Sequence, residues 1–175
     1  MPDLILVTGP AAAGKTAAAA AWAAGRPYPA AHVSIDDVRD FLKAGYANPE
    51  DGWTAEAEQQ HALARDIVAD MARRYAKSGI QLIVDDAIFP DWEAVGEERW
   101  RRALRGLTHT LIVLLPSFEA VRERNRLRAG RRRLRDETLR AIYDEMLGWR
   151  ANGRIVIDNT DLTVEESAAA IEASL

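Results

Sequence analysis

The sequence predicts a single α/β domain, a five-stranded parallel sheet flanked by helices, and three observations lead there. Short apolar runs alternate with helical stretches along the whole chain, the pattern of strands joined by crossover helices. The carboxyl end of every run bears polar or charged residues, where open α/β sheets bind their ligands. A length of 175 residues suits one domain, and 48% hydrophobic with 29% charged residues is globular composition.

Leu4 to Val7 is a continuous apolar run ending at Thr8-Gly9, a buried parallel strand. A helix over Lys15 to Ala24 follows, made of strong helix formers and stopped by Gly25 with Pro27 beyond. His32 to Ile35 is a second, weaker strand that delivers Asp36-Asp37 to its carboxyl end, ahead of a helical stretch through Leu42. The turn formers Gly45, Asn48-Pro49 and Asp51-Gly52 make Ala44 to Gly52 a loop large enough to shape a pocket. Thr54 precedes a long helix, Glu56 to Lys77, whose Leu63, Ile67, Val68, Met71 and Tyr75 recur at three and four residues as its apolar face. Ser78-Gly79 ends it.

Ile80 to Val84 is the third strand, closed by Asp85-Asp86. Trp92 to Leu104 reads as a helix, and Thr110 to Leu115, before Pro116, as the fourth strand. Ser117 caps a helix that contains Ala120 and runs into an arginine-rich stretch broken at Gly130. Asp136 to Trp149 is a helix with Asp136 as its cap, Ile155 to Ile157 the fifth strand, and Thr163 to Ala173 the last helix, opening on the capping-box pattern Thr163-Val164-Glu165-Glu166.

Composition excludes several chemistries. The chain has no cysteine, so disulfides, thiolate zinc sites and thiol nucleophiles are absent. His32, His61 and His109 show no ligand spacing and read as surface or strand-flanking residues. The apolar run at the N-terminus is too short for a signal peptide or membrane span, and a soluble cytoplasmic protein without membrane contact is the expectation. Net charge is −4, which disfavours a general nucleic-acid partner. That total conceals eight arginines between Arg122 and Arg135, a stretch of +7 that leaves −11 for the remainder. Arginine's planar donors suit phosphate, the alternative being a solvated helix face. Trp22, Trp100 and Trp149 fit apolar helix faces, whereas Tyr46, Trp53 and Trp92 lie near the segments that would receive a second substrate.

Gly9-Pro10-Ala11-Ala12-Ala13-Gly14-Lys15-Thr16 fits G-x-x-x-x-G-K-[ST]. In that pattern backbone N–H groups wrap a phosphate chain, the lysine reaches the β- and γ-phosphates, and the threonine hydroxyl holds Mg²⁺. Chance alone gives the pattern in about one chain of this length per hundred. Its position between an apolar strand and a helix is the one the mechanism requires. ATP or GTP with Mg²⁺ is the predicted ligand set.

The phosphate loop, together with Ile35-Asp36-Asp37-Val38-Arg39, Ile83-Val84-Asp85-Asp86, Arg124-Asn125-Arg126-Leu127-Arg128 and Ile157-Asp158-Asn159-Thr160, resembles the small P-loop kinases that include chloramphenicol phosphotransferase, zeta toxin and the kinase domain of polynucleotide kinase. The resemblance spans nearly the whole chain, 1–175, as one P-loop kinase domain with an arginine-rich lid at about 124–135. It implies an ATP-dependent transfer to a hydroxyl of a small-molecule acceptor, with a polynucleotide 5′-hydroxyl kinase or a nucleotide-switch ATPase as alternatives. It implies nucleotide contacts from Gly9, Ala12, Ala13, Gly14, Lys15, Thr16, Ala17, Arg124, Asn159 and Thr160. Asp36 matches the residue that accepts the acceptor's proton, and Arg39 a basic residue that holds the acceptor. Asp85 or Asp86 stands where a carboxylate holds Mg²⁺ through water, the metal set being Thr16 with Asp85 and Asp86 falling to the substrate. Arg124 and Arg128, with Arg131 to Arg133, would close over the nucleotide.

Overall fold

The structure, a computed structural model, describes residues 2–48, 51–151 and 153–175. Pro49 of the expected loop lies outside the described residues, as does the side chain of Arg131. Strands β1 (Leu4–Thr8), β2 (Ala30–Ser34), β3 (Gln81–Asp85), β4 (His109–Leu114) and β5 (Ile155–Ile157) form one parallel sheet in the order β2-β3-β1-β4-β5. The chain leaves β1 toward β2 on one side and later returns to β4 on the other. That reversal opens a crevice at the carboxyl ends of β1 and β3.

Seven α-helices cover the sheet: α1 (Lys15–Ala24), α2 (Ile35–Arg39), α3 (Ala55–Lys77), α4 (Glu97–Ala103), α5 (Phe118–Arg126), α6 (Asp136–Met146) and α7 (Val164–Ala173). Alternation along β1 divides the core in two. Ile5 and Val7 pack with Trp22 of α1 and Ile171 of α7, while Leu4 and Leu6 belong to a larger cluster with Val68, Trp100, Val121 and Met146 from α3 to α6. Trp22, Trp100 and Trp149 are buried in these cores, as their helical positions predict. Among the described residues no helix is long and apolar enough to cross a membrane.

Four local expectations are corrected. The second strand ends at Ser34, and Ile35 already opens α2, so Asp36 and Asp37 occupy a helical first turn whose exposed amide end favours acidic residues. Trp92 to Leu104 is a 3₁₀ turn at Glu93–Val95 followed by α4, because Gly96 is extended and a Cβ there would lie 2.8 Å from the Trp92 carbonyl oxygen. Arg135, not Asp136, precedes α6, which ends at Met146 before a 3₁₀ turn. On α3 the buried face is Ala57, His61, Ala64, Arg65, Val68, Ala69 and Ala72, whereas Leu63 and Ile67 are exposed. Small residues let α3 sit close to the sheet, and hydropathy does not register closeness.

Candidate active site

The phosphate loop is held open by its backbone. Gly9 has φ +141°, and a Cβ there would lie 2.0 Å from the Leu114 carbonyl oxygen, so no other residue fits. Ala12 (φ +63°) and Gly14 (φ +94°) are also left-handed. At the loop's root the buried Thr8 hydroxyl donates to the Ile88 carbonyl (3.1 Å) and accepts from the Ile88 amide (2.9 Å). Ala13 turns its amide to the Pro10 carbonyl at 3.1 Å. Lys15, Thr16 and Ala17 open α1, and no side chain caps them. Such uncapped N–H groups with the helix dipole behind them form an anion site. Lys15 Nζ donates to the carbonyls of Gly9 (2.9 Å) and Pro10 (3.0 Å) across the loop. Burial lowers the affinity of Lys15 for its proton, and the charges of Asp85 and Asp36 oppose that loss.

Asp85, at the end of β3, joins three elements. Its Oδ1 accepts from Thr16 Oγ1 (2.9 Å) and Ser34 Oγ (3.3 Å), and its Oδ2 lies 2.7 Å from His32 Nε2. The pairing register sets Ser34 opposite Asp85, and His32 lies two residues earlier on the same strand face. Thr16 and Asp85 therefore meet as hard oxygen donors, a pair suited to Mg²⁺ whose other ligands are phosphate oxygens and water. Among the described residues no three or more His, Cys, Asp or Glu side chains gather in a group that could hold a metal ion.

Asp86 turns instead into the core. Its carboxylate accepts from Trp100 Nε1 (2.7 Å) and the Ala87 amide (2.8 Å), and burial pushes its pKa up against the charge of Arg65. Of the pair, Asp85 faces the phosphate loop and Asp86 the aromatic core.

Asp36 is exposed in the first turn of α2, and its ion pair with Arg39 is 3.9 Å long. Its charge acts on both Lys15 and Arg128. Arg39 itself is 2% exposed, donates to the Ala47 carbonyl (2.9 Å) and lies over the Tyr46 ring at 4.8 Å. Trp53 stacks on His61 (5.0 Å) and meets Trp92 (4.6 Å). His61 is therefore corrected from a surface residue to a buried one.

The arginine stretch divides by function. Arg124 donates to the carbonyls of Ala13 (3.3 Å), Asn159 (2.8 Å) and Thr160 (3.1 Å), tying the phosphate loop to the segment after β5. Asn159 adds a bond from Nδ2 to the Ala13 carbonyl (2.9 Å), and the Thr160 hydroxyl accepts from the Ser117 amide (2.8 Å). Arg122 pairs with Asp136 and Arg126 with Glu123, on the solvated side. Arg128 donates to the Arg132 carbonyl (3.1 Å), and Arg132 reaches α2 at Asp37 (3.0 Å). The stretch is closed at its base by Asn125, which donates to the Leu134 carbonyl (2.9 Å) and accepts from the Leu134 amide (3.1 Å). Arg124, Arg128 and Arg132 line a cleft of about 610 Å³ with Lys15, Thr16, Asn159, Leu162 and Val164. That volume is in the range of small-ligand sites, with cations at one end and apolar walls at the other.

Sequence reasoning missed His32, Ser34, Asn125, His61, Arg65 and Trp100. Period-two alternation in β2 was a usable signal for His32 and Ser34, which share one strand face and meet Asp85 of the neighbouring β3.

A family model described as an AAA domain matches residues 4–152. No curated protein sequence is significantly similar to the chain. Solved structures share its fold. The tunicamycin resistance protein of Deinococcus radiodurans is 23% identical, with 99% of this chain and 95% of that one aligned and a TM-score of 0.70. A gluconokinase from Sinorhizobium meliloti 1021 is 17% identical over 98% of this chain and 90% of that one, with a TM-score of 0.69. A shikimate kinase from Acinetobacter baumannii, in complex with shikimate, is 18% identical over 99% and 92%, with a TM-score of 0.63.

Proposed function

From the premise that this chain belongs to the AAA domain family, we propose that it is a P-loop kinase that moves the γ-phosphoryl group of ATP, or of GTP, to a hydroxyl of a small-molecule acceptor. The observation that carries the reading is the position of Asp36. An exposed carboxylate in the first turn of α2 acts by its charge on Lys15 and Arg128, and its pairing with Arg39 is loose. A module that only switches on nucleotide hydrolysis has no need of such a base on the acceptor side.

In the proposed reaction the acceptor oxygen forms a bond to the γ-phosphorus as the bond to the β-phosphate bridge breaks. Asp36 takes the hydroxyl proton, and the nucleoside diphosphate leaves with its added charge. Positioning and charge stabilisation do most of the work in such transfers. Lys15 lies on the β- and γ-phosphates, while the amides of Gly9, Ala12 and Gly14 to Ala17 cradle the chain, the Ala13 amide being held by the Pro10 carbonyl. Asn159 and Thr160, tied down by Arg124, form the wall toward the base. Thr16 and Asp85 fit Mg²⁺, which when bound neutralises phosphate charge. Arg128 and Arg132 act as the lid over 124–135, with Arg124 as its fixed root. The resemblance to the chloramphenicol phosphotransferase, zeta toxin and polynucleotide kinase group is part of this reading, supported by the placement of Asp36 and Asp85. A net charge of −4 supports a small acceptor over a polynucleotide.

The test is Asp36→Asn. Transfer should fall by about 10²–10⁴-fold, as for a lost general base, with nucleotide affinity held within about twofold. An equal loss of nucleotide binding would move Asp36 to the metal site. Hydrolysis that no acceptor stimulates and that Asp36→Asn leaves unchanged would favour the switch.

A further inference from the structure

Helices α2 and α3 pack against each other and bring together side chains with unmatched polar atoms. Arg39, His61 and Arg65 are 2%, 8% and 3% exposed. Among the described residues, Arg39 Nε, Arg65 Nε, Trp53 Nε1 and both ring nitrogens of His61 are buried without a hydrogen bond. Arg65 makes no hydrogen bond or ion pair there at all; its guanidinium lies 5.8 Å from the Trp100 ring, and Asp86 and Arg99 act on it only at a distance. Spacing explains the gathering: Asp36 and Arg39 are one turn apart on α2, and His61 and Arg65 one turn apart on α3. Trp53 covers His61 from the loop side.

Buried donors left unmatched are costly, and a buried guanidinium most of all. The deficit here has a direction. His61 is kept neutral, its pKa lowered to about 4 by burial and by Arg39, so it offers one donor and one acceptor. The group as a whole then offers four N–H donors against one acceptor nitrogen. A neutral polyol brings a donor with every oxygen and would leave that imbalance in place. A carboxylate or phosphate brings oxygen acceptors alone. Asp36, paired with Arg39 at 3.9 Å, acts by its charge on both Lys15 and His61.

Resting on the kinase reading above, we infer that the acceptor carries an anionic oxygen group, a carboxylate or a phosphate ester, bound by Arg39, His61, Arg65 and Trp53 while its reacting hydroxyl faces Asp36. These side chains select the acceptor by charge, and the phosphate loop has no part in that choice.

The test uses the full chain with the phosphate loop filled by Mg-ADP, following the Trp53 indole N–H resonance, assigned with Trp53→Phe. Probes are glycerol against glycerate and glycerol 3-phosphate, and glucose against gluconate and glucose 6-phosphate, which separate carboxylate from phosphate. The expected result is a Trp53 shift with at least one anionic class, at an affinity about tenfold or more above its neutral partner. Arg65→Met should remove that preference and Arg65→Lys should keep part of it. Equal affinity for neutral partners, or no response to any anionic probe, overturns the inference. Phosphoryl transfer assayed with ATP on the same probes separates the two claims. Neutral probes phosphorylated without an anionic preference leave the kinase reading standing and remove this one. Anions that bind at Trp53 but are never phosphorylated do the reverse.

Discussion

Asp85 collects hydrogen bonds from Thr16 and Ser34 and stands 2.7 Å from His32, whereas the two ring nitrogens of His61 collect none. Both residues are buried. On the proposed kinase reading, the difference follows from what each side must recognise. A triphosphate chain with its metal is a constant ligand, and the loop, α1 and the end of β3 can be fixed for it in advance by bonds within the protein. On the same reading the acceptor side keeps donors in reserve for one particular molecule. Matched groups thus mark the general half of the site, and unmatched groups the selective half.

The strongest way to break the comparison is Gly9→Ala. Its Cβ would lie 2.0 Å from a backbone oxygen of β4 that cannot move aside. Urea denaturation should show a loss of about 4 kcal/mol or more, and both halves should fail together. Lys15→Ala separates them: transfer should drop about 10³-fold, the melting temperature should stay within about 2 °C, and the Trp53 response to acceptors should survive.

His61→Leu tests the unmatched half alone. A histidine whose folded pKa is about 4 binds its proton more weakly than in the unfolded chain, so acidification from pH 6.5 to pH 4 favours unfolding. Over that window the wild-type chain should lose about 3 kcal/mol that the variant keeps, read by denaturant melts at each pH. The smallest expected effect is Thr54→Ala. It removes the cap that accepts from the Ala57 amide at 3.1 Å, seven residues before His61. Stability should fall by about 1 kcal/mol, measured by thermal denaturation, with nucleotide affinity unmoved.

The phosphate-loop half was legible in the sequence because its residues are contiguous and its backbone needs glycine at fixed steps. Thr16 and Asp85 could be paired by motif order alone, and the sheet brings them to 2.9 Å. The helix caps at Ser117 and Thr163 were legible for the same local reason, and both side chains accept from the third helical amide. The acceptor half was not legible. Its groups come from α2, α3 and the loop between them, and nothing in the periodicity of α3 shows that His61 and Arg65 face inward while Leu63 and Ile67 face out. Charge density also misleads in the arginine stretch. The run of +7 looks uniform, yet Arg122 and Arg126 pair with acids in solvent, Arg124 binds carbonyls, and Arg128 and Arg132 line the cleft.

The reciprocal bonds between Asn125 and Leu134 give that stretch a property that bears on how such chains diversify. The segment from Arg126 to Arg133 is stitched at its neck, so the sheet and α6 meet only the stitch, whatever hangs beyond it. Doubling the length of such a loop adds only about 0.6 kcal/mol of closure entropy. The chain can therefore exchange, lengthen or shorten this segment as a cassette without rebuilding the sheet beneath it.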